Sequence, residues 1–89
     1  METTVFSIYD VKAGTFSRPF IAVREGEASR TFVDLINAPQ KDNPFAQHPE
    51  DYSLHRVGKW NMGSGELIDV VNYTIITGLQ ARAEDNEKE

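Results

Sequence analysis

Apolar positions in this chain recur at two spacings, and the change from one to the other marks the elements. Val5 to Tyr9 (VFSIY) alternates in the manner of a strand, with Phe6 and Ile8 on one face and Val5 and Tyr9 on the other. Turn residues at Asp10–Gly14 end it, and Phe16 to Arg24 reads as the return strand of a hairpin. Pro19 inside that run cannot donate to a ladder, so the return strand lies at an edge or is bulged there.

From Glu27 the period lengthens. Ala28, Phe32, Leu35 and Ile36 stand at i, i+4, i+7 and i+8, one face of a helix over Glu27–Asn37, with Asn37-Ala38-Pro39 as its stop. Thr31-x-x-Asp34 offers a capping box and a later start, but the earlier start includes Ala28 in the apolar face. Pro39 to Pro49 is a polar connection pinned by Phe45. Strand spacing then returns in Tyr52–Trp60 and Glu66–Val71, which flank Asn61-Met62-Gly63-Ser64-Gly65 as a long-looped hairpin. Tyr73–Thr77 is available as a fifth strand.

The order β-β-α-β-β(-β) predicts an α+β domain over residues 1–80, with one helix packed on one face of an antiparallel sheet. Phe32, Leu35 and Ile36 should be buried against Phe6, Ile8 and the second hairpin. Residues 81–89 are charged and lack aromatic and β-branched side chains, so a disordered acidic tail is expected there. At 89 residues the core is small, and an uncovered sheet face or edge favours a homo-oligomer, a dimer first of all.

Charge changes this picture modestly. The net charge is −5, but the last six residues hold four acids and one lysine, which leaves the body at −2. A polyanion binder usually carries a basic excess, so any nucleic-acid binding must come from local patterning and stacking. Cysteine is absent, which removes disulfides, thiolate metal sites and Cys nucleophiles. No apolar run is long enough to span a bilayer, and Met1-Glu2-Thr3-Thr4 lacks the basic start of a secretory signal. A soluble protein of the cytoplasm is expected.

No phosphate loop, dinucleotide fingerprint, nucleophile elbow or paired carboxylates appear. His48 and His55 lack the helical spacing of a metal pair, and a metal would need Glu50 and Asp51 to fold back on them. No cofactor or metal is expected, and the chain reads as a binding protein rather than an enzyme. Aromatics that stack on bases beside cations that track phosphates would suit single-stranded DNA. The candidate nucleic-acid residues are Trp60, Lys59, Arg56, Tyr52, Lys12, Arg18 and Arg24, with Tyr9, Phe16 and Tyr73 as further aromatics. In an unbulged strand Tyr52, Leu54, Arg56 and Trp60 point the same way. Against this stands the plainer reading, aromatics filling a small core and cations on a solvated face.

Three stretches carry a resemblance. They are Tyr9-Asp10-x-Lys12-Ala13-x-x-Phe16-x-x-Pro19-Phe20, Ala28-x-Arg30-x-Phe32-x-Asp34-x-Ile36-Asn37, and His48-Pro49-Glu50-Asp51-Tyr52-x-Leu54. With Val57-Gly58 and Gly65-Glu66-Leu67-Ile68, the chain from about residue 4 to residue 79 resembles the small nonstructural protein of gokushovirus-type microviruses, phages with single-stranded DNA genomes. Asn61-Met62-Gly63-Ser64 stands where those relatives carry an acidic turn, which removes negative charge beside Lys59 and Trp60. The resemblance implies a viral accessory protein made in the host bacterial cytoplasm. It also implies DNA binding in genome synthesis or packaging. The alternative is a module that binds a viral or host replication or packaging protein and touches no DNA.

Overall fold

A computed structural model describes residues 2–87. Nine residues of β1 (Glu2–Asp10) pair antiparallel along ten-residue β4 (Tyr52–Asn61), and these two strands form the middle of the sheet. On the far side of β1 lie β2 (Thr15–Phe16) and β3 (Phe20–Ala22); on the far side of β4 lie β5 (Glu66–Ile68) and β6 (Tyr73–Thr77). The sheet thus has six strands in four columns, and β6 is the fifth-strand candidate at the expected bounds.

The return strand sits at an edge and breaks at Pro19, as the missing N–H requires. Ser17 bridges the gap. Its N–H donates to the Ile8 carbonyl at 2.8 Å, its Oγ accepts from the Ile8 N–H at 2.9 Å, and the Ser7 hydroxyl donates to its carbonyl at 2.8 Å. In the second hairpin, Asn61 Oδ1 accepts from the N–H groups of Gly63 and Ser64, and Gly65 closes the loop at φ +74°, where a Cβ would be strained. The strand expected to reach Val71 ends at Ile68, because Asp69 turns into the left-handed region (φ 49°) and takes Val70 off the ladder, while the Val71 N–H still donates to the Val57 carbonyl at 3.3 Å.

Helix α1 (Glu25–Ile36) starts earlier than either sequence-derived start. Thr31 is interior to it, and its hydroxyl donates to the Glu27 carbonyl instead of capping. The buried stripe is Ala28, Phe32, Val33 and Ile36; Leu35, expected inside, is only half-buried. Val33 joins because α1 has two neighbours, the sheet and a further helix. The polar connection holds a short helix, α2 (Pro44–Gln47), capped by Asn43 Oδ1, followed by a 3-10 turn at Pro49–Asp51. Phe45 pins it, its ring 4.6 Å from that of Tyr52.

The expected disorder from residue 81 is corrected over most of its length; residues 88–89 lie outside the described residues. Gly78–Glu87 forms α3, which packs on α1 and on the 3-10 turn. Ala81 is fully buried in the core with Phe6, Phe32, Ile36 and Leu54. Arg82 Nε donates to Asn37 Oδ1 at 2.9 Å, and one terminal nitrogen donates to the carbonyls of Ile36 and Ala46 at 2.8 Å each. These are carbonyls at the C-terminal ends of α1 and α2, groups that no intrahelical N–H reaches. Composition marked the tail as polar, but a small Ala and one long guanidinium suffice to dock it. No helix among the described residues is long and apolar enough to cross a membrane.

Three substitutions test this core. Phe32→Ala should cost about 3–5 kcal/mol as a cavity mutation. Gly78→Ala should cost about 1–3 kcal/mol or more, since its Cβ would run into the Pro49 carbonyl. Arg82→Ala should cost about 2 kcal/mol by stranding two carbonyls. Denaturant melts check all three, and an Arg82→Ala melt matching wild type would restore the disordered-tail view.

Candidate functional site

The chemistry of the sheet is divided between its two faces, and a bulge decides which residue goes where. Phe6, Ile8 and Leu54 point to the helices, so Val5, Ser7 and Tyr9 point away. Along β4 the partner of Phe6 is Arg56, but the partner of Val5 is Gly58. Val57 is therefore an extra residue, and the alternation of β4 changes phase across it. Residues directly opposite share a face. Arg56 consequently lies on the helix side with Phe6, whereas Trp60, opposite Thr3 and Leu67, lies on the other side. The shared orientation expected for an unbulged strand does not hold.

Each candidate residue can now be placed. Tyr52 is on the helix side, packed against Phe45 and next to Leu54. Arg56 is half-buried, with a terminal nitrogen 3.4 Å from the Tyr73 hydroxyl and its guanidinium carbon 5.9 Å from the Tyr73 ring centre. Lys59 is opposite Thr4, also on the helix side, between Glu2 at 3.7 Å and Asp69 at 3.9 Å. Lys12 is exposed in the turn after β1, and Arg18 is exposed on the Ser17–Pro19 strap. Arg24 precedes α1, at the far end of β3, and shares a surface groove with Arg30. The seven residues do not form one site. Trp60 faces away from both β4 cations, and Lys59 already has carboxylate partners.

The open face carries two distinct halves. Around Trp60 is an apolar depression of about 660 Å³, lined by Val5, Ile21, Val57, Trp60, Leu67 and Val71 among others, and none of its nine lining residues is ionisable. Ile21 is 56% exposed, Leu67 49% and Trp60 37%, high values for such side chains. Gly58 lets β5 lie close, because a Cβ there would come within 3.3 Å of the Ile68 carbonyl and of Leu67. The other half is aromatic. Tyr9 and Phe16 are cross-strand partners with ring centres 4.7 Å apart, and His55 meets the Phe16 ring edge-on at 5.2 Å. His55 Nδ1 lies 2.8 Å from Asn72 Oδ1 and Nε2 2.8 Å from Ser53 Oγ. Ser7, under the Ser17 contact, separates the halves.

Sequence reasoning missed His55 and the apolar set Ile21, Leu67, Val70 and Val71. The parity of β1 carried part of the signal, since it already set Val5 and Tyr9 opposite Phe6 and Ile8. His48, Glu50 and Asp51 do fold together, with ligand atoms within 4.8 Å of one another. They are a mostly solvated corner beside Lys12, Asp10 and Tyr52.

The Tyr52 hydroxyl is held above the ordinary tyrosine value of 10.0, first by burial and then by the carboxylates of Asp10 and Asp51. The folded state therefore holds this proton more tightly than the unfolded chain. Its contribution is fully present below the unfolded value and is lost as pH rises through the folded one. Above pH 10.0 the melting temperature of wild type should fall more steeply than that of Tyr52→Phe. Identical pH profiles would show that the phenol titrates as it does in water.

No curated protein and no solved structure is significantly similar to the chain. A family model does match, over residues 3–81, which takes in the described sheet apart from Glu2 at the start of β1. The chain belongs to the phage ORF5 protein family.

Proposed function

We propose that this phage protein is a non-enzymatic accessory protein that binds single-stranded DNA in genome synthesis or packaging, using the aromatic half of its open sheet face. The observation that carries this is the Tyr9–Phe16–His55 cluster on a face that no helix of the described residues covers, with Phe16 43% exposed. Bases stack on such side chains without sequence preference, each stack worth about 1–3 kcal/mol. Family membership supports a phage role. The sequence resemblance to microvirus nonstructural proteins is the support for a single-stranded DNA ligand in this reading. Arg18 and Lys12 flank Phe16 along the chain and are the cations available to phosphates, while Arg56 and Lys59 are engaged on the other face.

Stacking, rather than charge, then dominates the affinity of a chain of net charge −5. Phe16→Ala should weaken oligonucleotide binding by about 1–3 kcal/mol at any salt. With two phosphate contacts the log–log salt slope should be shallow, about 1.4, and Arg18→Ala should halve it. Trp60→Ala should have a smaller effect than Phe16→Ala. Fluorescence anisotropy with single- and double-stranded oligonucleotides across a salt series measures all of these.

A second reading has its own support, the uncharged apolar half around Trp60, which suits a protein partner better than a phosphate chain. Absence of salt-sensitive binding at tens of micromolar protein would give the function to that reading, a module for a viral or host replication or packaging protein.

A further inference from the structure

We infer that His55 is a phosphate-contacting residue of the aromatic half of the open face, and that it acts when its imidazole is protonated. This rests on the DNA reading above and names the condition under which that site holds its ligand more tightly. Tyr9 and Phe16 offer rings for stacking but no positive charge, and Lys12 and Arg18 stand in the turn and the strap outside the ring cluster. His55 is the ring of that cluster that can become a cation.

The surroundings of His55 suit both protonation states. Ser53 Oγ stands 2.8 Å from Nε2 and Asn72 Oδ1 stands 2.8 Å from Nδ1. An imidazolium donates from both nitrogens, and here each finds an oxygen to accept it. A neutral ring keeps one donor and one acceptor, and the serine hydroxyl serves either because its proton rotates. The charge can therefore appear without rebuilding the site.

Nor does the protein neutralise it. Directly opposite His55 are Ser7 on β1 and Thr74 on β6, and the rings of Phe16 and Tyr9 stand 5.2 Å and 6.1 Å away. Tyr9 is the titratable group among these. No carboxylate of the described residues forms an ion pair with His55. Asp10, at the end of β1, turns its carboxylate to the N–H groups of Lys12 and Ala13, and Arg56 goes to the helix side. The added charge is left for a phosphate of the strand whose bases lie on Phe16. That phosphate favours the charged ring, so bound DNA raises the titration midpoint of His55. By the same linkage, affinity rises as pH falls through that midpoint.

Fluorescence anisotropy of the full chain with a labelled single-stranded oligonucleotide, from about pH 8 to about pH 5.5 at several salt concentrations, tests this. Affinity should rise about threefold or more toward the acidic end. The log–log salt slope should steepen from about 1.4 to about 2.1, one further phosphate contact at the single-strand value. His55→Gln should remove both changes, and His48→Gln, at the chain's other histidine, should keep them. Independently of any variant, NMR of the histidine ring protons should show a higher His55 midpoint in the complex than in the free chain. Binding whose affinity and slope ignore pH overturns the inference and leaves the DNA reading standing. A pH dependence that survives His55→Gln, or a midpoint unmoved by DNA, does the same. Absence of binding at every pH and salt concentration overturns both.

Discussion

One extra residue, Val57, decides what this molecule can offer to a partner. The long β1–β4 pairing holds the sheet together, and a perfect alternation along it would have put Arg56 and Trp60 on the same side. The bulge reverses the phase of β4 between them. Trp60 joins Val5 on the open face, and Arg56 and Lys59 go to the helix side, where Tyr73, Glu2 and Asp69 engage them. Because the side-chain period of a strand is two, a slip of one residue moves every later side chain across the sheet. The uncharged character of the Trp60 surface therefore follows from backbone geometry as much as from composition.

The helix side depends on a different constraint, a corner where three segments crowd together. Gly78 lies against the Pro49 carbonyl, too close for any side chain, and this lets α3 begin immediately where β6 ends. Arg82 then reaches carbonyls at the ends of α1 and α2, while Asn37 donates to the Ala81 carbonyl at 3.1 Å. A fold this small has little apolar surface to bury. Its helix layer is closed by satisfying helix-end carbonyls with one guanidinium, and the six-stranded sheet is left bare on its other side.

Much of the fold was legible in the sequence because it rests on periodicity. The parity of Phe6 and Ile8 against Val5 and Tyr9, the helical stripe of Ala28, Phe32 and Ile36, the break at Pro19 and the Gly65 loop all have local causes. The misread parts depend on tertiary contacts. Nothing in EDNEKE or its neighbours reveals that Ala81 is buried, because its burial is set by α1 and the 3-10 turn rather than by its own segment. The candidate site was the least legible. Its residues were grouped by chemistry and strand parity, and the bulge redistributed them. Exposed aliphatics such as Ile21 and Leu67 were read simply as strand formers.

What emerges is a phage protein whose structure assigns stability to one face and leaves the other available. The aromatic and apolar halves of that face differ in chemistry, so a nucleic-acid strand and a protein surface need not compete for it. The claim common to every functional inference is that the open face is the working surface. Backbone amide chemical-shift mapping during titration with a single-stranded oligonucleotide examines it directly. The account predicts shifts at Tyr9, Phe16 and His55 on adding DNA, with α1 and α3 undisturbed. Shifts concentrated instead on α1, α3 or the His48–Asp51 corner would contradict it.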